Sequence, residues 1–286
     1  MRLVRFELSG QHKIGLISDG HVYSLDKLIP DAPETMVGVI EGGDVLRSRI
    51  LEASSSASGG IAIDKVKLLT PMDKIGKFIC MGLNYAEHVK EGGREIPEYP
   101  TLFLRVESSL LPPTGDIVAP KVSERLDFEA ELLVVIGKRT RSVSEDDALD
   151  SVYGYSAFND GTLRDYQRHT LQWTAGKNFD ATGPFGPAIV TKDELPEGAT
   201  GLSIRSRLND EIMQDGNTRD MIFSIAKIIS YASQAMTLEP GDLIATGTPS
   251  GVGFARKPPV FMKAGDLIEI EIEGLAKLSN RVVAEA

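Results

Sequence analysis

The stretch Asp127-Phe128-Glu129-Ala130-Glu131-Leu132-Leu133-Val134-Val135-Ile136-Gly137 carries acids in its first half and an unbroken apolar run in its second. Such a run marks a strand buried on both faces. In a strand, residues i and i+2 share a face, so Glu129 and Glu131 stand side by side. Two buried like charges that close repel, and either one takes a proton or a cation neutralises them. The alternative is a solvated sheet edge, where Glu-x-Glu is common. The same triplet recurs in Glu269-Ile270-Glu271, but there Ile268, Ile270 and Ile272 alternate with acids, the period of a half-buried strand. Only the first triplet runs on into a continuous apolar segment.

Downstream, Phe158-Asn159-Asp160-Gly161-Thr162-Leu163-Arg164-Asp165-Tyr166-Gln167 follows a plausible strand, Tyr153 to Phe158. Asp160 therefore falls at a strand end, where a carboxylate can reach a site, although a polar turn reads equally simply. Ser144-Glu145-Asp146-Asp147 has the form of a capping box and predicts a short helix. Ile222, Ile225, Ile229, Ala232 and Met236 recur at three- and four-residue steps, predicting an amphipathic helix over 219–236 stopped by Pro240-Gly241. Toward the N-terminus, Met1 to Leu8 reads as a first strand and Ser18-Asp19-Gly20 as a turn, followed by a weakly helical stretch. Ala53 to Gly60 is small, polar and uncharged, a loop, and Ile61 to Val66 a strand closing a small unit near Pro71. The expectation is a strand-rich α+β protein, with a small N-terminal α+β domain over 1–70 and a larger domain over 71–286.

Composition narrows the function. The 286 residues hold 31 Lys+Arg against 41 Asp+Glu, a formal net charge of −10, which repels a nucleic-acid backbone. The longest strongly apolar run, Leu132 to Ile136, is far short of the roughly 20 residues a spanning helix requires. A single Cys80 excludes an intrachain disulfide or a cysteine zinc site and suits a reducing, cytoplasmic setting. Neither a nucleic-acid nor a membrane partner is expected.

Three further segments bear on chemistry. Trp173-Thr174-Ala175-Gly176-Lys177 sets one Lys in an apolar context, where a buried ammonium requires a partner. Gly247-Thr248-Pro249-Ser250-Gly251-Val252-Gly253 is a glycine-rich loop after an expected strand at Leu243 to Thr246; it is neither a phosphate loop nor a nucleophile elbow. In Asn84-Tyr85-Ala86-Glu87-His88-Val89-Lys90-Glu91-Gly92-Gly93, His88 and Glu91 are three apart, one above the other on a helical turn, where a surface salt bridge is the simplest reading.

Taken together, these segments resemble the fumarylacetoacetate hydrolase family. The matching pieces run in order: Asn84-Tyr85, His88 and Glu91; Asp127-Phe128-Glu129-Ala130-Glu131-Leu132; Asn159-Asp160, Thr162, Arg164-Asp165 and Gln167; and Gly176-Lys177. Gly186-Pro187, Met221-Ile222-Phe223, Leu238-Glu239-Pro240-Gly241-Asp242 and Thr246-Gly247-Thr248-Pro249-x-Gly251-Val252-Gly253 continue the match. The resemblance implies a mixed β-roll catalytic domain, a homodimer, and one Mg²⁺ or Mn²⁺ held by Glu129, Glu131 and Asp160. It implies that Arg164, Gln167, Lys177 and Thr248 hold the carboxylate and oxo groups of a small anionic oxo-acid. It makes His88 and Glu91 an acid/base dyad on a mobile lid hinged at Gly92-Gly93, with Lys177 also catalytic, stabilising an enolate.

The implied activity is metal-dependent hydrolysis of the C–C bond of an acylpyruvate-like 2,4-dioxo acid. Oxaloacetate decarboxylation or isomerisation of a 2-hydroxydienoate uses the same centre without an attacking water, and a non-catalytic ligand-binding member is a third reading. Two residues depart from the family pattern: Arg105 stands where many members have Lys, and Gly161 replaces a branched or aromatic residue. Since Arg offers a planar fork where Lys offers a point charge, Arg105 is expected to alter substrate choice.

Overall fold

The computed structural model describes residues 1–286. Its centre is the strand Ala130–Ile136, paired antiparallel with Val152–Asn159 on one side and with Leu243–Ala245 on the other. Every residue of that strand is buried, as its apolar run predicts. Alternate side chains serve two cores. Ala130, Leu132, Val134 and Ile136 pack with Ile225, Ile228 and Ile229 of the helix Ile225–Ala235 and with Ile268, Ile270 and Ile272. Leu133 and Val135 instead meet Met36, Val39, Ile40, Leu46 and Ile50.

Twelve strands form the main sheet, and a second sheet of five stacks Glu211–Asn217, Ser203–Leu208, Leu267–Ile272, Leu278–Ala284 and Ile117–Ala119 in that order. Most pairs are antiparallel, but Leu243–Ala245 runs parallel to Phe78–Gly82, so the architecture is the mixed, strand-rich α+β expected. The segment before Pro71 extends the same main sheet: Arg2 and Leu3 pair with Val190 and Ile189 of the strand Gly183–Thr191. Its helices Met36–Glu41 and Gly43–Ser54 cover one face of that sheet. No helix is long and apolar enough to cross a membrane.

Three boundaries differ from expectation for identifiable reasons. The long helix begins at Ile225 because Ser224 caps it, accepting from the Lys227 N–H at 3.2 Å, while the Phe223 N–H is already taken by Asn84 Oδ1 at 2.8 Å. Gly43–Ser54 carries helix two residues into the small polar segment, and Ile61–Ala62 gives way to a 3₁₀ turn at Ile63–Lys65. The cap at Ser144 forms as predicted, accepting from the Asp147 N–H, although the Asp147 carboxylate bonds the serine hydroxyl instead of its backbone.

Candidate metal centre and active site

Strand register assembles the acids. Ala130 pairs with Asn159, so one step outward Glu129 lies opposite Asp160, and the Asp160 N–H donates to the Glu129 carbonyl at 3.0 Å. The Asn159 side chain closes the other half, accepting from the Glu129 N–H at 3.0 Å. With Glu131 on the same face, the carboxylate oxygens of Glu129, Glu131 and Asp160 come within 4.8 Å of one another, all three residues being buried. Gly161 explains itself here: a Cβ on it would sit 2.1 Å from the Thr182 carbonyl oxygen, so no larger residue fits this backbone.

Three cations face these acids. Lys177 Nζ donates to Glu129 Oε2 at 2.7 Å and Asp160 Oδ2 at 2.6 Å. It arrives on the turn Thr174–Lys177, which lies so close to Gln167 that a Cβ on Gly176 would be 2.4 Å from the Gln167 backbone nitrogen. Arg164 bonds Asp127 Oδ2 through Nε at 2.7 Å and places a second nitrogen 2.7 Å from Glu129 Oε1; its remaining nitrogen donates to Gln167 Oε1 at 3.1 Å. Arg105, whose side chain is fully buried, bonds Asp160 Oδ1 at 2.5 Å, Thr182 Oγ1 at 2.8 Å and the Gly161 carbonyl at 3.2 Å. Arg105 thus buttresses Asp160 and is not among the residues lining the cavity, so any influence on the substrate runs through Asp160.

These neighbours set the protonation of the cluster. Burial opposes ionisation of Glu129, but Lys177, Arg164 and His88 outweigh it and hold its carboxyl at about 2. Burial pushes the Glu131 carboxyl well up, and the charges on Asp160 and Glu129 push it further; its one backbone donor, the Gly247 N–H at 2.9 Å, does not offset them. Lys177 is raised: burial alone would favour the neutral amine, and Asp160 and Glu129 reverse that.

The dyad forms on the helix Ala86–Glu91, with His88 Nδ1 2.8 Å from Glu91 Oε1. Glu91 Oε2 accepts from the Gly251 N–H at 2.9 Å, which ties this helix to the glycine-rich loop. Gly251 takes φ +103°, and a Cβ on it would meet the Met213 carbonyl oxygen at 2.3 Å. On the same loop Thr248 is fixed by Gln214, whose Nε2 donates to its Oγ1 at 2.7 Å. His88, Glu129, Glu131, Arg164, Gln167, Lys177 and Thr248 line one cavity; Asp160 lies directly behind Lys177, and Glu91 behind His88.

Residues 77–283 match the family model described as fumarylacetoacetate (FAA) hydrolase, C-terminal. The chain belongs to the fumarylacetoacetate hydrolase family. It is 41% identical over 290 residues to a Bos taurus protein named oxaloacetate tautomerase FAHD2A, mitochondrial, covering 99% of this chain and 92% of that one. Among solved structures it is similar to a putative HpcE protein from Mycobacterium smegmatis, with TM-score 0.89 and 31% identity over all of both chains. It is also similar to maleylpyruvate hydrolase from Sphingobium sp. SYK-6 in complex with manganese (II) ion and pyruvate, with TM-score 0.84 and 32% identity over all of both chains.

In this family member the donor set fits a hard divalent cation: three buried carboxylates converge, and Glu131 lacks a cationic partner of its own. Two residues essential to the arrangement are not among those the sequence singles out for a role. Asp127 is fully buried and accepts from the Gly253 N–H at 2.7 Å, the Phe254 N–H at 3.0 Å and Arg164, locking the glycine-rich loop to the acid strand. Its place in an Asp-x-Glu-x-Glu alternation is the signal that could have found it. Gln214 sits in the strand Glu211–Asn217, accepting from the Ala130 N–H and the Ser206 hydroxyl while it holds Thr248, and no pattern in that strand marks it.

Proposed function

We propose that this protein is a divalent-metal-dependent enzyme that moves a proton on a small 2-oxo acid, interconverting keto and enol forms, with Mg²⁺ or Mn²⁺ at Glu129, Glu131 and Asp160. The observation that carries the reading is the His88–Glu91 pair facing the buried acid cluster across one cavity. When bound, the metal supplies Lewis-acid stabilisation of negative charge developing on the 2-oxo acid. Glu91 holds the proton of His88 on Nδ1, which leaves Nε2 as the basic nitrogen toward the cavity. His88 takes a proton from the carbon next to the carbonyl and returns it to oxygen. Lys177, charged between Glu129 and Asp160, adds a fixed positive charge beside that oxygen, and Arg164, Gln167 and Thr248 orient the carboxylate end. The name of the 41%-identical relative, an oxaloacetate tautomerase, supports this choice over the other reactions of the family.

The same dyad favours a second reading, C–C hydrolysis of an acylpyruvate-like acid, in which His88 deprotonates an attacking water; the likeness to a maleylpyruvate hydrolase supports it. A homodimer is proposed as well, supported by Leu104 and Val106, 51% and 52% exposed on and beside the edge strand Thr101–Arg105. The test of function supplies Mg²⁺-loaded protein with enol-oxaloacetate and, separately, acetylpyruvate. Faster loss of enol absorbance without pyruvate release is the expected result for oxaloacetate. Pyruvate from acetylpyruvate establishes hydrolysis, pyruvate from oxaloacetate establishes decarboxylation, and no effect on either acid sinks the enzymatic reading.

A further inference from the structure

Beyond the metal centre, the cavity wall carries two guanidiniums that the chemistry above does not use. Arg94 and Arg168 both line it, both are exposed, and neither has a carboxylate within 4.0 Å. Their placement is built, not incidental. Arg94 follows the helix Ala86–Glu91 through a left-handed Gly93, φ +66°, with the Gly93 N–H on the Lys90 carbonyl and the Arg94 N–H on the Val89 carbonyl, both at 3.0 Å. That is the paired bonding of a Schellman cap, which fixes where the chain leaves the helix. The Arg94 guanidinium then lies 5.5 Å from the centre of the Trp173 ring. Trp173 reaches that position because residue 82 is glycine: a Cβ there would sit 2.2 Å from the indole.

Arg168 leaves the other wall, capping the turn Arg164–Gln167, and lies 4.7 Å from the centre of the Phe254 ring. The same ring carries Arg164 at 4.5 Å, so the inner and outer guanidiniums share one aromatic seat. Arginines held against aromatic faces keep their charge in place and lose little freedom when they bind a planar anion. Partial desolvation disfavours the charge of the otherwise exposed Arg168, the like charges of Arg164, Arg94 and Arg125 disfavour it further, and Asp127 offsets them only in part. With no acid of the protein paired directly with Arg168, an anion from solution is the natural partner.

We propose that Arg94 and Arg168 form a distal carboxylate subsite, so that the cavity selects a short 2-oxo acid with a second carboxylate at its far end. The inference rests on the reading of the inner site as a 2-oxo acid centre. The deep end receives the 2-oxo carboxylate at the cations around Glu129, and the mouth receives the terminal carboxylate.

Oxaloacetate and 2-oxobutanoate differ only by a carboxylate in place of a methyl group, and their dissociation constants on Mn²⁺-loaded protein, read by calorimetric titration, test the idea. The expected preference for oxaloacetate is about tenfold or more, shrinking with added salt. In the Arg94→Gln/Arg168→Gln double variant that preference should fall below about twofold, chiefly through weaker oxaloacetate binding, while Arg168→Lys retains part of it. A wild-type protein that binds both acids alike overturns the subsite and leaves the inner site standing. Equal loss of both acids in the double variant overturns it too, since the arginines would then be merely structural. If neither acid binds the wild-type protein, the functional reading falls and the subsite falls with it.

Discussion

Replacing Arg105 by Met removes the only cation on one oxygen of Asp160, in a place where water cannot substitute. The Arg105 and Asp160 side chains are both 0% exposed, and the guanidinium also serves Thr182 Oγ1, Ser109 Oγ and the Gly161 carbonyl. Methionine fills much of the volume, so the cost is chiefly that of stranding a buried carboxylate, about 3–5 kcal/mol. For a chain of this size that corresponds to a fall in melting temperature of about 5–10 °C. Arg105→Lys keeps a charge but not the fork that reaches Asp160, Thr182 and Gly161 together, and should cost about half as much. Because a divalent ion supplies the charge that Met removes, added Mn²⁺ should raise the melting temperature of Arg105→Met by more than that of the wild type. Thermal and urea unfolding, each with chelator and with Mn²⁺, measure all three quantities. A Met variant within 1 kcal/mol of wild type, or a Lys variant as damaged as the Met variant, would refute the buttress. So would equal stabilisation of both proteins by the metal.

The acid cluster gives opposite pH signs at two positions. Glu131 is raised, so the metal-free folded protein holds its proton above the ordinary carboxylate range, and this contribution to stability is lost as pH rises through the folded value. Glu129 is depressed to about 2, so its contribution is present above the ordinary range and disappears only as pH falls toward that value. Metal binding must expel the Glu131 proton; titrations of Mn²⁺ in two buffers of different ionisation enthalpy should show net proton release and affinity rising with pH, and zero release counts against it. Glu131→Gln should raise the melting temperature of the metal-free protein while weakening Mn²⁺ at least tenfold, as calorimetry would show. His88→Gln should lower kcat by about 10²–10⁴ and leave the Mn²⁺ dissociation constant unchanged; an unaltered kcat would remove His88 from the chemistry. Gly161→Ala forces a Cβ onto the Thr182 carbonyl, and a urea midpoint matching wild type would show that the backbone can yield where 2.1 Å says it cannot.

What the sequence makes legible is local and periodic. Glu129 and Glu131 share a face because strand periodicity is two, and the run after them reveals a strand buried on both sides; both readings need only neighbours in the chain. His88 and Glu91 likewise follow from helical spacing. The partners of Arg105 and Arg164 were not legible, because they depend on strands that meet across the fold: Arg105 reaches Asp160 from an edge strand 55 residues away, and Arg164 reaches Asp127 from 37. Long basic side chains give no periodic mark of whether they meet a substrate or an acid of the protein. The same reason hides Gln214, whose hydrogen bonds go to Ala130, Ser206, Thr248 and Pro249. The joining of the N-terminal strand to the main sheet was likewise not legible, because main-chain pairing between Leu3 and Ile189 leaves no mark in composition.

Charge balance links these placements to the proposed chemistry. Around the centre, Asp127, Glu129, Glu131 and Asp160 face Arg105, Arg164 and Lys177, four acids against three bases, all buried. The surplus negative charge sits at Glu131, the one carboxylate without a basic partner, and that is where the proton must stay. A divalent cation in place of the proton turns the cluster from neutral to one unit positive, the charge that one carboxylate of a 2-oxo acid cancels. Were Lys177 or Arg105 missing, the loaded centre would be neutral and would offer an anion no net attraction; were Glu131 missing, Lys177 and Arg164 would already satisfy Glu129, and the metal would lose its strongest reason to enter. A chain of net charge −10 can thus present a locally cationic cavity to an anionic substrate, provided the three basic side chains are buried against specific acids and kept off the surface.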